Sequence, residues 1–342
     1  MSCLKKSIYQ IAKEAGVSPA TVSRVLNNNP SVSDATRQRV LGIMNGVNFI
    51  PAITKNAFEN IGVFIGASDS DKLTLPLSPY CAEVISGLGS VLYKYNYSLS
   101  LIPVHNIPKS RDDFKLFCFR RHIAAAVFLN VSLQDTFITD FVDLMPIVCI
   151  GTNFGNDKIV SIKTDNAAVS QDVVRHLFGL GHRGIALLNV DLNVQDHLER
   201  YQSISAACQE LGLSLPPNRV LPANARTYDD LPYLLEQLIN PMASNPVTAL
   251  ICFDNQFSMR ILYLFSSMGR AVPQDISLVG YDDYAFAQFC LPPLTAVRQP
   301  IMALGMHAAQ HLVNTLRGES TVCSESLEPQ LIIRKSTTVV PV

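Results

Sequence analysis

The chain has 342 residues, 48% of them hydrophobic and 16% charged, enough for two or three domains and a sizeable buried core. Its net charge of −1 is an average: residues 1–60 hold seven Lys or Arg against three acids, a surplus of four, so the remainder carries −5. The eight cysteines include no Cys-x-x-Cys pair, which argues against a thiol metal or redox site. The N-terminus lacks a signal peptide's apolar stretch, and no later run is long enough to span a bilayer, so a soluble, cytoplasmic protein without membrane contact is expected.

The basic head comes first. In "SIYQIAKEAG", Ile8, Ile11, Ala12 and Ala15 recur at helical spacing, with Ser7 as N-cap and Gly16 as stop. A second helix starts at once, with Ser18 as cap, Pro19 in the first helical position and Val22, Val25 and Leu26 facing inward. "SVSDATRQRVLGIM" gives a third, capped by Ser33, with Val40, Leu41 and Met44 inward. Three short helices with a tight turn between the first two predict a helix-turn-helix over residues 1–48, whose second helix enters the major groove N-terminus first. Thr21 and Ser23 are then short donors for phosphates, and Asn27 can donate beyond the helix. Pro19 and Ala20 stand at the entry where base edges are read, and Arg24 can reach guanine O6 and N7 with two parallel bonds. The apolar pattern alone would fit any small three-helix domain, and a charge run is often only a solvated face.

The residue identities go further. The blocks Ile-Ala-x-x-Ala-Gly-Val-Ser, Ala-Thr-Val-Ser-Arg-Val-Leu-Asn and Val-Ser-x-x-Thr-Arg-x-x-Val run unbroken from Ser7 to Leu41. The segment closely resembles the head of the lactose/galactose repressor family of bacterial transcription regulators. The resemblance implies phosphate contacts from Ser7, Tyr9, Thr21, Ser23 and Asn27, and base contacts from Pro19, Ala20 and Arg24; for Tyr9 a packing role stays open.

Residues 49–60 are the expected hinge. The family has Tyr-x-Pro-Asn-x-x-Ala-Arg-x-Leu here, whose leucine wedges into the minor groove, whereas this chain has Phe49 and Pro51 but Ala52, Lys55, Asn56 and Phe58. The polar spacer before the first core strand is missing too. The hinge is therefore expected to be short and atypical. Phe58 is either the wedge, which must unstack a base step at about a few kcal/mol, or an aromatic packed beneath the core.

From Ile61 onward β-rich runs ("IGVFIGA", "SLSLIPV", "AAAVFLN", "PIVCIG", "RGIALLNV", "NRVLPA", "TALICF", "ISLVGYDD") alternate with helical ones, including "YCAEVISGLGSVLYKYN" and "QDTFITDFVDLM". Such alternation makes doubly wound parallel sheets, and there are strands for two. The order and landmarks such as "RAVPQDISLVGYDD" and "PPLTAVRQPIMALGMHAAQHL" resemble the family's effector-binding core, which is similar to periplasmic sugar-binding proteins. The resemblance implies an α/β core over 61–342 of two subdomains, about 61–163 plus 297–323 and about 164–296 plus 324–342, with chain crossings near Thr164, Ala296 and Ser324.

Small ligands bind at the carboxyl ends of parallel strands, between such halves. The expected effector residues are Arg200, from the family's Arg-x-x-Gly-Tyr block; Asp282, the first carboxylate of "GYDD"; Asp254 and Asn255, the family's Asn-Asp pair in swapped order; Tyr80; and Asn153. An Arg200–Asp282 pair clamping the two halves, and Tyr80 as core, remain open beside these roles. No nucleophile-base constellation, metal spacing, Gly-x-Gly-x-x-Gly or P-loop occurs, so neither an enzyme nor a cofactor or metal is expected. The expected function is a DNA-binding regulator, a repressor in kind, acting as a homodimer or tetramer on operator DNA under a small-molecule effector, a sugar first. The alternatives are a nucleobase corepressor and a plain sugar-binding receptor, against which the basic head and missing signal peptide argue.

Overall fold

The computed structural model describes residues 7–26, 29, 31–46, 60–66, 78–222, 231–239, 246–319 and 323–340. The head has three helices: α1 (Ile8–Glu14), α2 (Pro19–Leu26) and α3 (Asp34–Gly46). Ser7 caps α1 in a reciprocal box with Gln10, its hydroxyl taking the Gln10 N–H while the Gln10 side chain takes the Ser7 N–H. Ser18 takes the Thr21 N–H at 3.1 Å and so caps α2 ahead of Pro19. Ile11, Ala12, Ala15, Val22, Val25, Leu26, Val40 and Met44 close the small core that their spacing predicts. The hinge, with Phe58, and Asn27 lie outside the described residues.

The core begins with β1 (Asn60–Ile65), α4 (Pro79–Leu92), β2 (Ser98–Pro103), α5 (Arg111–Arg120), β3 (Ile123–Leu129), β4 (Ile147–Ile150) and β5 (Ile159–Thr164). It passes into a second half through α6 (Asn166–Gly179), β6 (Ile185–Val190), α7 (Gln195–Glu210), β7 (Val220–Pro222), α8 (Leu231–Leu238), β8 (Ala249–Cys252), α9 (Asn255–Ser267), β9 (Ser277–Tyr281) and β10 (Thr295–Arg298). Then α10 (Ile301–Arg317) and β11 (Glu325–Leu327) return to the first half, and β12 (Gln330–Ile332) ends in the second.

The two sheets run β2-β1-β3-β4-β5-β11 and β7-β6-β8-β9-β10-β12, parallel except for the β10–β12 pair. Both are buried on two faces. Ile61, Val63 and Ile65 pack on one side of the first sheet and Phe64 on the other, and the second sheet divides likewise. In each sheet the strand order reverses once, between β1 and β3 and between β6 and β8, which opens a crevice at the strands' carboxyl ends. The strand memberships put the second and third chain passages after Arg298 and after Leu327, a few residues beyond Ala296 and Ser324.

One expected helix is not formed. "QDTFITDFVDLM" carries only a 3-10 turn, Thr136–Phe141. β-Branched Thr136, Ile138 and Thr139 weaken an α-helix there, and the tight turn already buries Ile138 and Phe141, the latter stacked on Phe114 at 3.9 Å between ring centres. Conversely α5, polar and only weakly periodic, is a helix that the hydrophobic pattern does not announce.

Helices α4 and α10 cross closely because each puts a glycine at the contact. A Cβ on Gly87 would collide with the Met302 carbonyl, and one on Gly305 with the Val84 carbonyl. Either glycine replaced by alanine should therefore destabilise the core by on the order of 2 kcal/mol through overpacking. Urea unfolding of Gly305→Ala checks this, and an unchanged midpoint would contradict it.

Candidate functional site

The head presents its candidate DNA residues outward. Ser7, Tyr9, Ala20, Ser23 and Arg24 are exposed, while Pro19 and Thr21 are half-buried at the start of α2. Tyr9 is 74% exposed, which excludes the packing role left open for it. Ala20 and Arg24 lie on the face opposite Val22, Val25 and Leu26, the arrangement in which a recognition helix can lie in a groove. Thr21 shares its hydroxyl with Ser18 at 2.9 Å, so its phosphate-binding group is oriented by the cap itself.

The second site is the crevice between the two sheets, a cavity of about 180 Å³. The first half contributes Ser78, Pro79 and Tyr80 from the start of α4 and Asn130 just after β3. The second contributes Asp196, His197 and Arg200 on α7, the Phe253–Gln256 turn after β8 and Asp282 after β9; Gln299 comes from the crossing segment. Asn130 and Asp282 hold left-handed φ of 55° and 65°. Asn and Asp accept that conformation best among residues with a side chain, and it turns both into the crevice instead of continuing the strand. Asn189, also left-handed at a bulge in β6, directs its amide to Asp254.

Arg200 is 3% exposed. Its Nε donates to Asn166 Oδ1 at 3.1 Å and one terminal nitrogen to the Phe253 carbonyl at 2.8 Å, and the guanidinium lies 4.2 Å from the Tyr281 ring centre. Neither bond goes to a carboxylate, and all three partners belong to the second half. That arrangement rules out the clamp between halves left open for Arg200 and Asp282. Burial pushes the carboxyls of Asp196 and Asp282 up to about 6, against the opposing pull of Arg200. It raises Asp254 too, although the Phe257 N–H holds that carboxylate at 2.7 Å as the cap of α9. Burial, with Arg200 beside it, lowers His197 to about 3. Its Nδ1 accepts the Asp191 N–H at 3.1 Å, so the neutral ring carries its proton on Nε2.

Of the expected effector residues, Arg200, Asp282, Asp254, Asn255 and Tyr80 meet in this cavity. Asn153 does not. Its side chain takes the Gly155 N–H at 2.8 Å to close a turn, and its own N–H donates to Gln195 at 2.5 Å on the rim. Asp283 binds Arg298 and Arg334, a structural role. Sequence reading missed Asp196, His197, Asn130 and Gln299. Asp196 was findable, because it stands one turn before Arg200 on the same helix face.

The lacI family of bacterial regulatory proteins matches residues 7–52, and a periplasmic binding protein-like domain matches residues 174–337. The transcriptional repressor PurR of Haemophilus influenzae (strain PittEE) is 28% identical over 96% of this chain and 98% of its own length, and that of Photobacterium profundum is likewise 28% identical. A CelR–cellobiose complex superposes with a TM-score of 0.70 at 25% identity, covering 97% of this chain and 99% of that one. The lac repressor dimer bound to operator and the anti-inducer ONPF gives 0.65 at 22%, again over 97% and 99%. The chain joins a lacI-family head to a periplasmic binding protein-like core. It is a DNA-binding transcriptional repressor, with a head for DNA and a core of two parallel-sheet halves for a small-molecule effector. No helix among the described residues is long and apolar enough to cross a membrane.

The cleft of this core stores unfavourable charge. Asp196 ionises near pH 6 in the folded chain and near about 4 when unfolded. Between those values the native state holds more protons, so the ionised carboxylate costs stability above about pH 6, and the cost fades as pH falls toward about 4. Asp196→Asn, which keeps an oxygen for the Asn166 amide, should therefore stabilise the unliganded protein at pH ~7.5 by on the order of 1 kcal/mol. Thermal unfolding should show a higher Tm that converges on the unaltered protein's toward pH ~4; a lower Tm at pH ~7.5 would contradict this.

Proposed function

We propose that the chain works as a homodimeric, cytoplasmic repressor whose operator affinity is set by a single-ring polyol, a sugar by class, held in the crevice. The observation that carries the reading is the convergence of Tyr80, Arg200, Asp254, Asn255 and Asp282, from both halves, on one cavity. Carboxylates and amides serve sugar hydroxyls, and Tyr80, Phe253 and Tyr284 offer apolar faces for a ring. The volume, about 180 Å³, lies below the ~300 Å³ at which drug-sized pockets begin and favours one ring over the disaccharide in the CelR complex.

Both halves hold such a ligand, so it biases their relative arrangement. Rim bonds already join them: Leu133 N–H to the Asn193 carbonyl at 2.8 Å, Gln134 to the Asn193 side chain at 2.8 Å, and Lys163 to Glu199 at 2.5 Å. A ligand changes DNA binding only by its affinity difference between two arrangements. In a dimer that difference is read as head spacing, because operator half-sites fix the separation. Exposed Tyr233, Tyr263, Phe289 and Leu291 on the second half supply apolar surface that supports self-association.

Two substitutions test the two ends of this reading. Arg24→Ala should abolish preference for the operator over random duplex while leaving weak, salt-sensitive binding, seen by mobility shift with DNA from upstream of the coding region. Retained preference would refute Arg24 as reader. Asn255→Ala should weaken the effector by roughly ten- to a hundredfold, since a ligand group loses its buried partner. It should not lower the unliganded Tm, because among the described residues no protein group bonds that amide. A thermal-shift screen of sugars and nucleobases supplies the ligand, and stabilisation by nucleobases alone would replace the sugar with the other class considered.

A further inference from the structure

The described lining of the crevice carries a net negative charge and unpartnered polar groups. Among the described lining residues there are three carboxylates, Asp196, Asp254 and Asp282, and one permanent cation, Arg200. Asp196 and Asp282 are 8% and 7% exposed, so water screens them little. Arg200 spends its assigned hydrogen bonds on Asn166 and the Phe253 carbonyl, and the buried His197 ring is neutral. A buried carboxylate in excess either takes up a proton or is completed by a partner.

A second observation is independent of charge. Asn255 is fully buried, Gln299 is 6% exposed, and both line the cavity. Among the described residues neither amide atom of Asn255 is hydrogen-bonded, nor is Gln299 Oε1, whose partner nitrogen is taken up by Asp282. The two unsatisfied side-chain oxygens are acceptors, and with the three carboxylates they make the crevice predominantly a receiver of N–H or O–H protons. Tyr80, Phe253 and Tyr284 add aromatic faces of the kind that attract a cation. A metal ion is not the partner that fits: no three His, Cys, Asp or Glu among the described residues group closely enough to hold one.

Resting on the effector reading above, we propose that the natural ligand carries a protonated nitrogen: an amino-substituted polyol, with its ammonium beside Asp196 and Asp282. Its hydroxyls are left for Asn255, Gln299 and Arg200. The raised carboxyls of Asp196 and Asp282 accord with this, because a bound ammonium would offset the burial that holds them up.

Isothermal titration of the full chain at pH ~7.5 tests the proposal with matched pairs: glucose, galactose and mannose beside their 2-amino-2-deoxy counterparts. At least one amine should bind ten times or more tighter than its neutral partner, and the preference should fall below about threefold in both Asp196→Asn and Asp282→Asn. A neutral member binding as well as its amine, no amine binding at all, or a preference unmoved by both substitutions would each overturn it. Binding of neutral sugars alone would leave the effector reading standing while this one falls. If neither sugars nor nucleobases bind and operator preference is also absent, the effector reading itself fails.

Discussion

The cleft depends on one buried guanidinium. Moving a cation out of water costs several kcal/mol unless it is hydrogen-bonded and paired, and Arg200 meets that cost with Asn166, the Phe253 carbonyl and the face of Tyr281. These partners come from the start of α6, the turn after β8 and the end of β9, so the guanidinium is fixed by the second half alone. It is therefore a preorganised charge, held before any ligand arrives. Burial raises the three carboxylates around it, two of them to about 6, and its field pulls all three back down. Had Arg200 paired directly with one of them, the site would be tied up in a neutral clamp with little left to recognise.

Recognition in the crevice and closure of the two halves meet on the same helix. Along α7, Gln195 and Glu199 face the first half, taking the Asn153 N–H and Lys163, while Asp196 and Arg200 face the cavity. Gly151, at φ 79° after β4, lets the first half approach Asp196: a Cβ there would stand 2.9 Å from Asp196 Oδ2. Recognition residues and closure residues thus alternate within one turn, so a ligand that repositions Asp196 must also strain or relieve the rim bonds. A sub-ångström change at such a contact is amplified because packed halves have discrete arrangements and do not deform continuously.

Much of this was legible in the sequence because the governing constraints are local. Helix caps at Ser7 and Ser18, the apolar stripe of α2 and the left-handed stop at Gly16 are each fixed by neighbours a few residues away. The β-runs were readable because strands buried on both faces must be nearly continuous apolar stretches. Arg200, Asp254, Asn255, Asp282 and Tyr80 were recovered through family blocks, whereas Asn153 was placed only by its position after a strand, and the fold uses it to close a turn. Gln299 and Asn130 were invisible for a physical reason. Each is a lone polar residue at the end of a strand, and only the stacking of two separate sheets tells whether such a residue faces ligand or solvent. The 3-10 turn at Thr136–Phe141 was misread because an aromatic spacing of three to four residues fits either helix type.

The distribution of charge along the chain acquires a second meaning from the cleft. The surplus of four positive charges in residues 1–60 draws the head toward duplex DNA over distances set by the Debye length. The negative body is repelled by the same phosphates, so approach is favoured with the head leading. Part of that negative charge is the buried carboxylate set of the effector site. A cationic ligand would neutralise it where screening is weakest, and would thereby stabilise the closed core without altering the exposed charges that steer the head. The two polarities then work in separate compartments: the basic one sets how the protein meets DNA, and the acidic one sets which arrangement of the halves is present when it does.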